Sequence, residues 1–162
     1  MTLITSSRQN INWDYEYFSL EEIIKASEFN KFVLTKKLRM TLEILGFLRS
    51  KIRKPIIITD ACRFSGKKTS QHYYKHFNAL DVWVKGYSSV ELMRLIEKYD
   101  LGTGRGLYPF SNGFCHIDCR RGQSGKKARV SRWYRDVNGV YHVLNKNYFI
   151  EPFNGFLNKG EL

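Results

Sequence analysis

Two short stretches of the sequence alternate apolar and polar residues in the manner of β-strands that bury one face. In ALDVWV, residues 79–84, leucine and valine alternate with Asp81 and a tryptophan. In FCHIDCR, residues 114–120, cysteine and isoleucine alternate with His116, Asp118 and an arginine. Because side chains on a strand repeat every two residues, His116 and Asp118 must point to the same side. The two stretches predict a sheet with one apolar face and one face that carries ionisable groups.

Helical periodicity marks three further segments of the chain. Ser19, followed by Leu-Glu-Glu, predicts an N-cap and the acidic first turn of a short helix. Residues 33–52 repeat leucine and isoleucine at helical spacing behind a capping Thr35, which predicts the long helix that packs on the core. Residues 88–99, SSVELMRLIEKY, predict a third helix with a serine cap.

Strand and loop signals fill most of the remaining sequence. KPIIITDAC, residues 54–62, is β-branched and predicts a strand, and residues 133–144 predict a hairpin that turns at Asn-Gly. GTGRGLYPFSNG, residues 102–113, is expected to be a glycine-rich loop. Helices come first, and strands interrupted by one helix follow. We therefore predict an α+β fold, with a small, mostly antiparallel sheet and helices packed on one face.

Size and charge narrow the class of protein. The 162 residues suit a single domain, predicted to span 1–162 with a core of about 17–146 and a surface tail at 147–162. No apolar run approaches the ~20 residues of a membrane-spanning helix, and we expect no secretory signal, so the chain should be made in the cytoplasm. The net charge of +12 favours polyanionic partners such as anionic cell-wall polymers. The three cysteines are expected to be buried free thiols.

Residues 69–84, TSQHYYKHFNALDVWV, place two histidines shortly before an aspartate in an apolar strand. A carboxylate between apolar neighbours is unusual unless it is paired or binds a metal. His72 in the loop, Asp81 on the strand and His116 on the later strand would form a three-ligand zinc site with a fourth position open for water. The other interpretation is two surface histidines beside an ordinary strand, and spacing alone leaves both open.

Three blocks of the sequence, in order, resemble the M15 family of zinc peptidases, which includes D-alanyl-D-alanine carboxypeptidases and phage endolysins. The first block is a strand that ends in an arginine, here Arg63. The second is the pattern Ser-x-His, then Ala-x-Asp, in residues 70–81. The third is a glycine-rich turn with Tyr-Pro and His-x-Asp in residues 102–120, followed by Arg-Trp at 132–133. The resemblance covers residues 17–133.

The resemblance implies a fold like that of hedgehog proteins and D-Ala-D-Ala peptidases, one Zn²⁺ per chain, and activity on peptidoglycan peptides. It implies His72, Asp81 and His116 as zinc ligands. It implies Asp118 as a catalytic base beside the metal and Arg63 as a group that binds substrate or stabilises an oxyanion. Two further residues of the matched motifs are expected to bind substrate: Ser70 and Tyr108.

Three departures from the family pattern leave some roles open. The spacing from His72 to the aspartate is nine residues, two more than is usual in the family, so the loop bulges or His76 replaces His72 as ligand. Asp-Ala-Cys stands where the family has Ser-Gly-Tyr before the arginine. The glutamate that many members place three residues before the last histidine is Gly113 here. Either His116 is the ligand and Asp118 the base, or the two roles are exchanged.

The main functional hypothesis is a zinc-dependent peptidase that hydrolyses a peptide bond in peptidoglycan cross-links or stem peptides. It would act on the cell wall after release from the cell or as part of a phage virion. The alternative is a catalytically degenerate module of the same fold that binds cell wall or has a structural role in a phage particle. A nucleic-acid binder is not favoured, because no nucleic-acid-binding motif accompanies the positive charge. We expect a monomer.

Overall fold

A computed structural model describes residues 2–6, 11, 13–110, 113–121 and 129–144. Within these residues the chain forms three α-helices, a mixed six-stranded sheet and a two-stranded sheet. The predicted α+β class is therefore confirmed. The tail predicted at 147–162 lies outside the described residues, and the single-domain assignment stays a prediction.

All three predicted helices form, and their first residues carry the expected caps. Helix α1 (Leu20–Lys25) begins at Ser19, and the side chains of Ser19 and Glu22 each accept a hydrogen bond from the other's backbone N–H. Helix α2 (Lys36–Ile52) follows a capping threonine, and α3 (Ser89–Lys98) begins with a second reciprocal cap. Caps of this kind stabilise a helix by about 1 kcal/mol each.

The strands form two sheets. The small sheet pairs β1 (Thr2–Ile4) with β2 (Phe32–Leu34). The larger sheet contains β3 (Ile56–Asp60), β4 (Ala79–Val84), β5 (Gly104–Tyr108), β6 (Phe114–Asp118), β7 (Ser131–Arg135) and β8 (Tyr141–Leu144). Its order is β3-β4-β6-β5-β7-β8, and among these described strands the β5–β7 pairing alone is parallel. The mostly antiparallel sheet of the prediction is thus present.

The two faces of the large sheet have different chemistry. On the apolar face, the Thr41 hydroxyl of α2 donates to the Asn78 carbonyl at 2.7 Å, and the Cys115 thiol donates to the Ser89 carbonyl of α3 at 3.1 Å. All three cysteines are buried and free, as predicted. Because His116 follows Cys115 on β6, its side chain lies on the opposite face from these helices.

Two parts of the fold differ from the sequence prediction. Residues 104–108, predicted as part of a loop, form β5 in the middle of the large sheet. Glycine weakens isolated strands, but it is tolerated where another chain segment approaches closely, and here Gly104 and Gly106 lie opposite Asp118 and His116 of β6. The strands β1 and β2 were not predicted, because three residues are too short for a periodic signal.

Candidate metal centre

Three buried donor atoms meet on the polar face of the sheet. Asp81 on β4 lies directly opposite His116 on β6, and His72 reaches them from the loop before β4. Asp81 Oδ1 lies 2.9 Å from His116 Nδ1 and 3.1 Å from His72 Nε2. The two histidine nitrogens are 3.1 Å apart. All three residues are at most 5% exposed, so little of their surface is in contact with water.

The backbone after β3 holds His72 in place. His72 Nδ1 lies 2.6 Å from the Ala61 carbonyl oxygen, which only accepts hydrogen bonds, so Nδ1 carries the proton. The Nε2 lone pair therefore points at Asp81 and His116. The backbone N–H of Arg63 also donates to the His72 carbonyl at 2.8 Å, which connects the loop that carries His72 to the segment after β3.

Asp118 holds His116 from the other side of the imidazole. Asp118 Oδ2 lies 2.9 Å from His116 Nε2, and the carboxylate is fully buried. The same carboxylate accepts hydrogen bonds from the backbone N–H, Nε and Nη2 of Arg120, at 2.6–3.0 Å. With Nε2 donating to Asp118, the neutral imidazole presents the lone pair of Nδ1 to Asp81 and His72. A carboxylate behind a histidine ligand is the usual support of a metal site.

Gly104 provides the space for this support. A Cβ at Gly104 would lie 2.5 Å from Asp118 Cγ and 2.5 Å from Asp118 Oδ1. Gly106, two residues along the same strand, provides space for the indole of Trp133, whose ring atoms Cε2 and Nε1 would be 2.5 Å from an added Cβ. Positions 104 and 106 thus leave the first part of this face of β5 without side chains, and Asp118 and Trp133 occupy that space.

The donor set fits a small divalent cation. One oxygen and two nitrogens lie about 3 Å apart, and tetrahedral zinc with bonds of about 2.0 Å separates its ligands by roughly 3.3 Å. Two imidazole lone pairs and a carboxylate oxygen repel one another at this distance unless a proton or a cation lies between them. The residues therefore suit Zn²⁺, which His72, Asp81 and His116 could hold as protein ligands.

The pKa values of the site residues in the metal-free protein reflect the same repulsion and attraction among the donors. Burial alone would lower the pKa of His116, but hydrogen bonds and charge from Asp118 and Asp81 raise it to about 9. Burial would raise the pKa of Asp81, yet the charges and hydrogen bonds of His72 and His116 hold it well below its usual range. The pKa of Asp118 is also lowered despite burial, by His116 and Arg120. A cation can take the place of the proton that His116 otherwise keeps.

A cleft of about 1090 Å³ opens onto the three donors. Arg63, Ser70 and Tyr108, the residues predicted to bind substrate, all line it. The Tyr108 hydroxyl accepts a hydrogen bond from Trp133 Nε1 at 3.2 Å, and burial raises the pKa of Tyr108 well above its usual range, which keeps the phenol protonated. Trp133 lies against His116, with 5.1 Å between the ring centres. The cleft therefore has hydrogen-bond donors on two sides of the metal group.

The geometry bears on the alternatives that the sequence left open. His76 Nε2 lies 2.6 Å from the Ser70 carbonyl, and in the described part of the chain the metal group contains His72 and not His76. Asp118 contacts the far nitrogen of His116 and does not join the group. The general-base role of Asp118 stays a prediction, and its burial and the four N–H groups that donate to it favour the role of holding His116.

Sequence reasoning missed the residues that support the ligands. Ala61, Gly104 and Gly106 act through a carbonyl or through the absence of a side chain, which composition does not reveal. Gly104 and Gly106 are two residues apart, and this spacing is a signal that both share one face of a strand.

Comparison with known proteins gives one match. A family model described as Peptidase M15 matches residues 16–118, well over half of the chain. The matched segment runs from before α1 to the end of β6 and contains all three donor residues. No curated protein and no solved structure gives a significant match. Among the described residues, no helix has the length and apolar character needed to cross a bilayer.

Proposed function

The chain belongs to the peptidase M15 family, and from this premise we propose that it is a zinc-dependent peptidase that hydrolyses a peptide bond in peptidoglycan. The bond lies in a stem peptide or a cross-link of the cell wall. The observation that carries the proposal is the convergence of His72 Nε2, Asp81 Oδ1 and His116 Nδ1 at the floor of an open cleft. Each histidine is fixed by an acceptor on its other nitrogen, so both lone pairs are directed to one point.

The residues of the site have separate tasks in this proposal. His72, Asp81 and His116 would hold the zinc, and the metal would supply Lewis-acid chemistry toward a peptide carbonyl and a water molecule. Asp118 fixes the tautomer and the orientation of His116. Arg63 donates to the substrate or to the oxygen that gains negative charge during hydrolysis. Tyr108, kept protonated, offers a second hydrogen-bond donor from the opposite wall.

The charge of the chain supports a wall polymer as partner. The net charge of +12 attracts anionic polymers at long range and keeps a monomeric enzyme on its substrate. Access to the wall, by release from the cell or within a phage virion, is part of the same proposal.

Digestion of purified peptidoglycan tests this function. Wild type, Asp81→Ala and His76→Ala are loaded with zinc and incubated with sacculi, and the released peptides are identified by mass spectrometry. We expect new amino and carboxyl termini with wild type and His76→Ala, and none with Asp81→Ala. Sacculi that bind wild type but stay uncut would contradict the proposal and would support the binding module.

A further inference from the structure

Arg63, which lies just after β3, has a carboxylate partner at the end of that strand. Asp60, at the end of β3, lies opposite Asp81 across an irregularity in the strand pairing. Asp60 Oδ2 accepts a hydrogen bond from Arg63 Nε at 2.8 Å and a second, charge-assisted one from Arg63 Nη2. Arg63 is one of the residues that line the cleft, and Asp60 is not.

This contact uses one edge of the guanidinium. An arginine binds a carboxylate most strongly when two parallel N–H groups face its two oxygens. The Nε–Nη2 edge of Arg63 is already taken by Asp60, and Nη2 also lies 4.0 Å from Asp81 Oδ2. The cleft therefore receives the remaining donors of Arg63 and a positive charge that Asp60 has largely neutralised.

Among the described residues, two of the four other arginines that line the cleft are paired in the same way, and the remaining two are Arg129 and Arg135. Arg120 contacts Asp118 at 2.6 Å, and Arg132 contacts Glu97 at 2.8 Å. A free carboxylate placed beside either guanidinium meets a negative charge that is already present.

We propose that Asp60 determines specificity at this site by neutralising Arg63, so that the chain prefers a peptide bond inside a chain to one next to a free terminal carboxylate. The inference rests on the proposed peptidase function and narrows its substrate. A neutral amide beyond the scissile bond needs one donor from Arg63 and meets no repulsion from Asp60. A terminal carboxylate would need the full charge of Arg63 and its Nε–Nη2 edge, which Asp60 occupies. It would also lie close to the Asp60 carboxylate, which repels it. The sequence is informative here, because Asp60 stands where the resembled motif has a serine.

The test uses two peptides that end in D-Ala-D-Ala and differ only at the C-terminus, a carboxylate in one and a carboxamide in the other. Values of kcat and KM are measured for zinc-loaded wild type and Asp60→Asn, which keeps the shape and removes the charge. We expect wild type to cleave the amide at least as well as the acid. In Asp60→Asn the acid-to-amide ratio of kcat/KM should rise about fivefold to tenfold, mainly through a lower KM for the acid.

Two controls keep the result specific. Asp14→Asn removes the same charge from an aspartate outside the cleft lining and should leave the ratio unchanged. Asp60→Ser introduces the residue of the resembled motif and should reproduce the effect if Asp60→Asn does not fold. An unchanged ratio in folded Asp60 variants, or a wild type that prefers the acid to the amide, would overturn the inference.

Binding separates this inference from the proposed function. Calorimetry measures the dissociation constants of the two peptides for zinc-loaded wild type and Asp60→Asn, without any need for turnover. Absence of hydrolysis by wild type, with the expected shift in the binding ratio, would refute the peptidase and leave the role of Asp60 supported. Hydrolysis with no shift in either ratio would refute the role of Asp60 alone.

Discussion

Replacing Gly104 with alanine should weaken zinc binding through Asp118, a residue that does not join the metal group. The new Cβ would lie 2.5 Å from Asp118 Cγ and Oδ1, where real Cβ atoms keep at least 3.0 Å. Asp118 Oδ2 would be closer still, so the carboxylate, or the strand behind it, must shift by more than about half an ångström. Gly104 does not have a positive φ, so the alanine backbone itself is not strained.

The packing and hydrogen bonds around Asp118 leave no room for such a shift. It is fully buried and accepts from His116 Nε2 at 2.9 Å and from Arg120 Nη2 at 2.6 Å. Disturbing a buried ion pair costs about 3 kcal/mol, and loss of the partner behind a histidine ligand lowers metal affinity by roughly tenfold to hundredfold. We expect effects of this size on unfolding and on the zinc dissociation constant, respectively.

Competition with a chromogenic chelator measures zinc affinity, and urea unfolding of the zinc-free protein measures stability. Gly46→Ala is the matched control. Gly46 lies in α2, away from the donors, and its added Cβ would be 3.3 Å from the ring of Tyr17. In an Asp118→Ala background, Gly104→Ala should have little further effect, because the atoms that it contacts are gone. Wild-type zinc affinity in Gly104→Ala, or full additivity of the two substitutions, would refute the reasoning.

Three further predictions concern pH, the wall of the cleft and the core. In zinc-free protein the pKa of His116 is raised to about 9, against roughly 6.5 in the unfolded chain. Protonated His116 therefore contributes about 3 kcal/mol to the free energy of unfolding below pH ~6.5, and this contribution is lost as the pH rises through 9. Urea titrations from pH 6 to 10 should show this loss in zinc-free but not in zinc-loaded protein. Gly106→Ala should displace Trp133, which changes its fluorescence and raises KM, while zinc affinity falls less than in Gly104→Ala. Glu97→Ala removes a partner 2.6 Å from the fully buried Arg105 and should lower the free energy of unfolding by about 3 kcal/mol by urea titration, with Glu97→Gln less affected.

Strand alternation was enough to place His116 and Asp118 on one side of β6, because the period of two is a property of the backbone. It could not show that Asp118 lies behind His116 instead of beside the metal. That arrangement depends on Arg120, which turns back onto the carboxylate, and on the space above Gly104 in a neighbouring strand. Such contacts arise from tertiary packing and have no local pattern.

The glycine-rich segment shows a different limit. Local propensity favours a loop for GTGRGLYPFSNG, yet residues 104–108 form a central strand, since the close approach of Asp118 and Trp133 requires glycine there. The helices were predicted well because their caps and apolar periods are local. The pairing of Asp60 with Arg63 needed the structure, although both residues are visible in the sequence.

Zinc content, measured by mass spectrometry on protein purified without chelators, tests the central claim most directly. Wild type is compared with His72→Ala, Asp81→Ala and His116→Ala, and with His76→Ala as the matched control. The geometry predicts about one zinc per chain in wild type and His76→Ala, and little or none in the other three. A metal-free wild type, or zinc that is lost with His76 and kept without His72, would contradict the assignment of the metal centre.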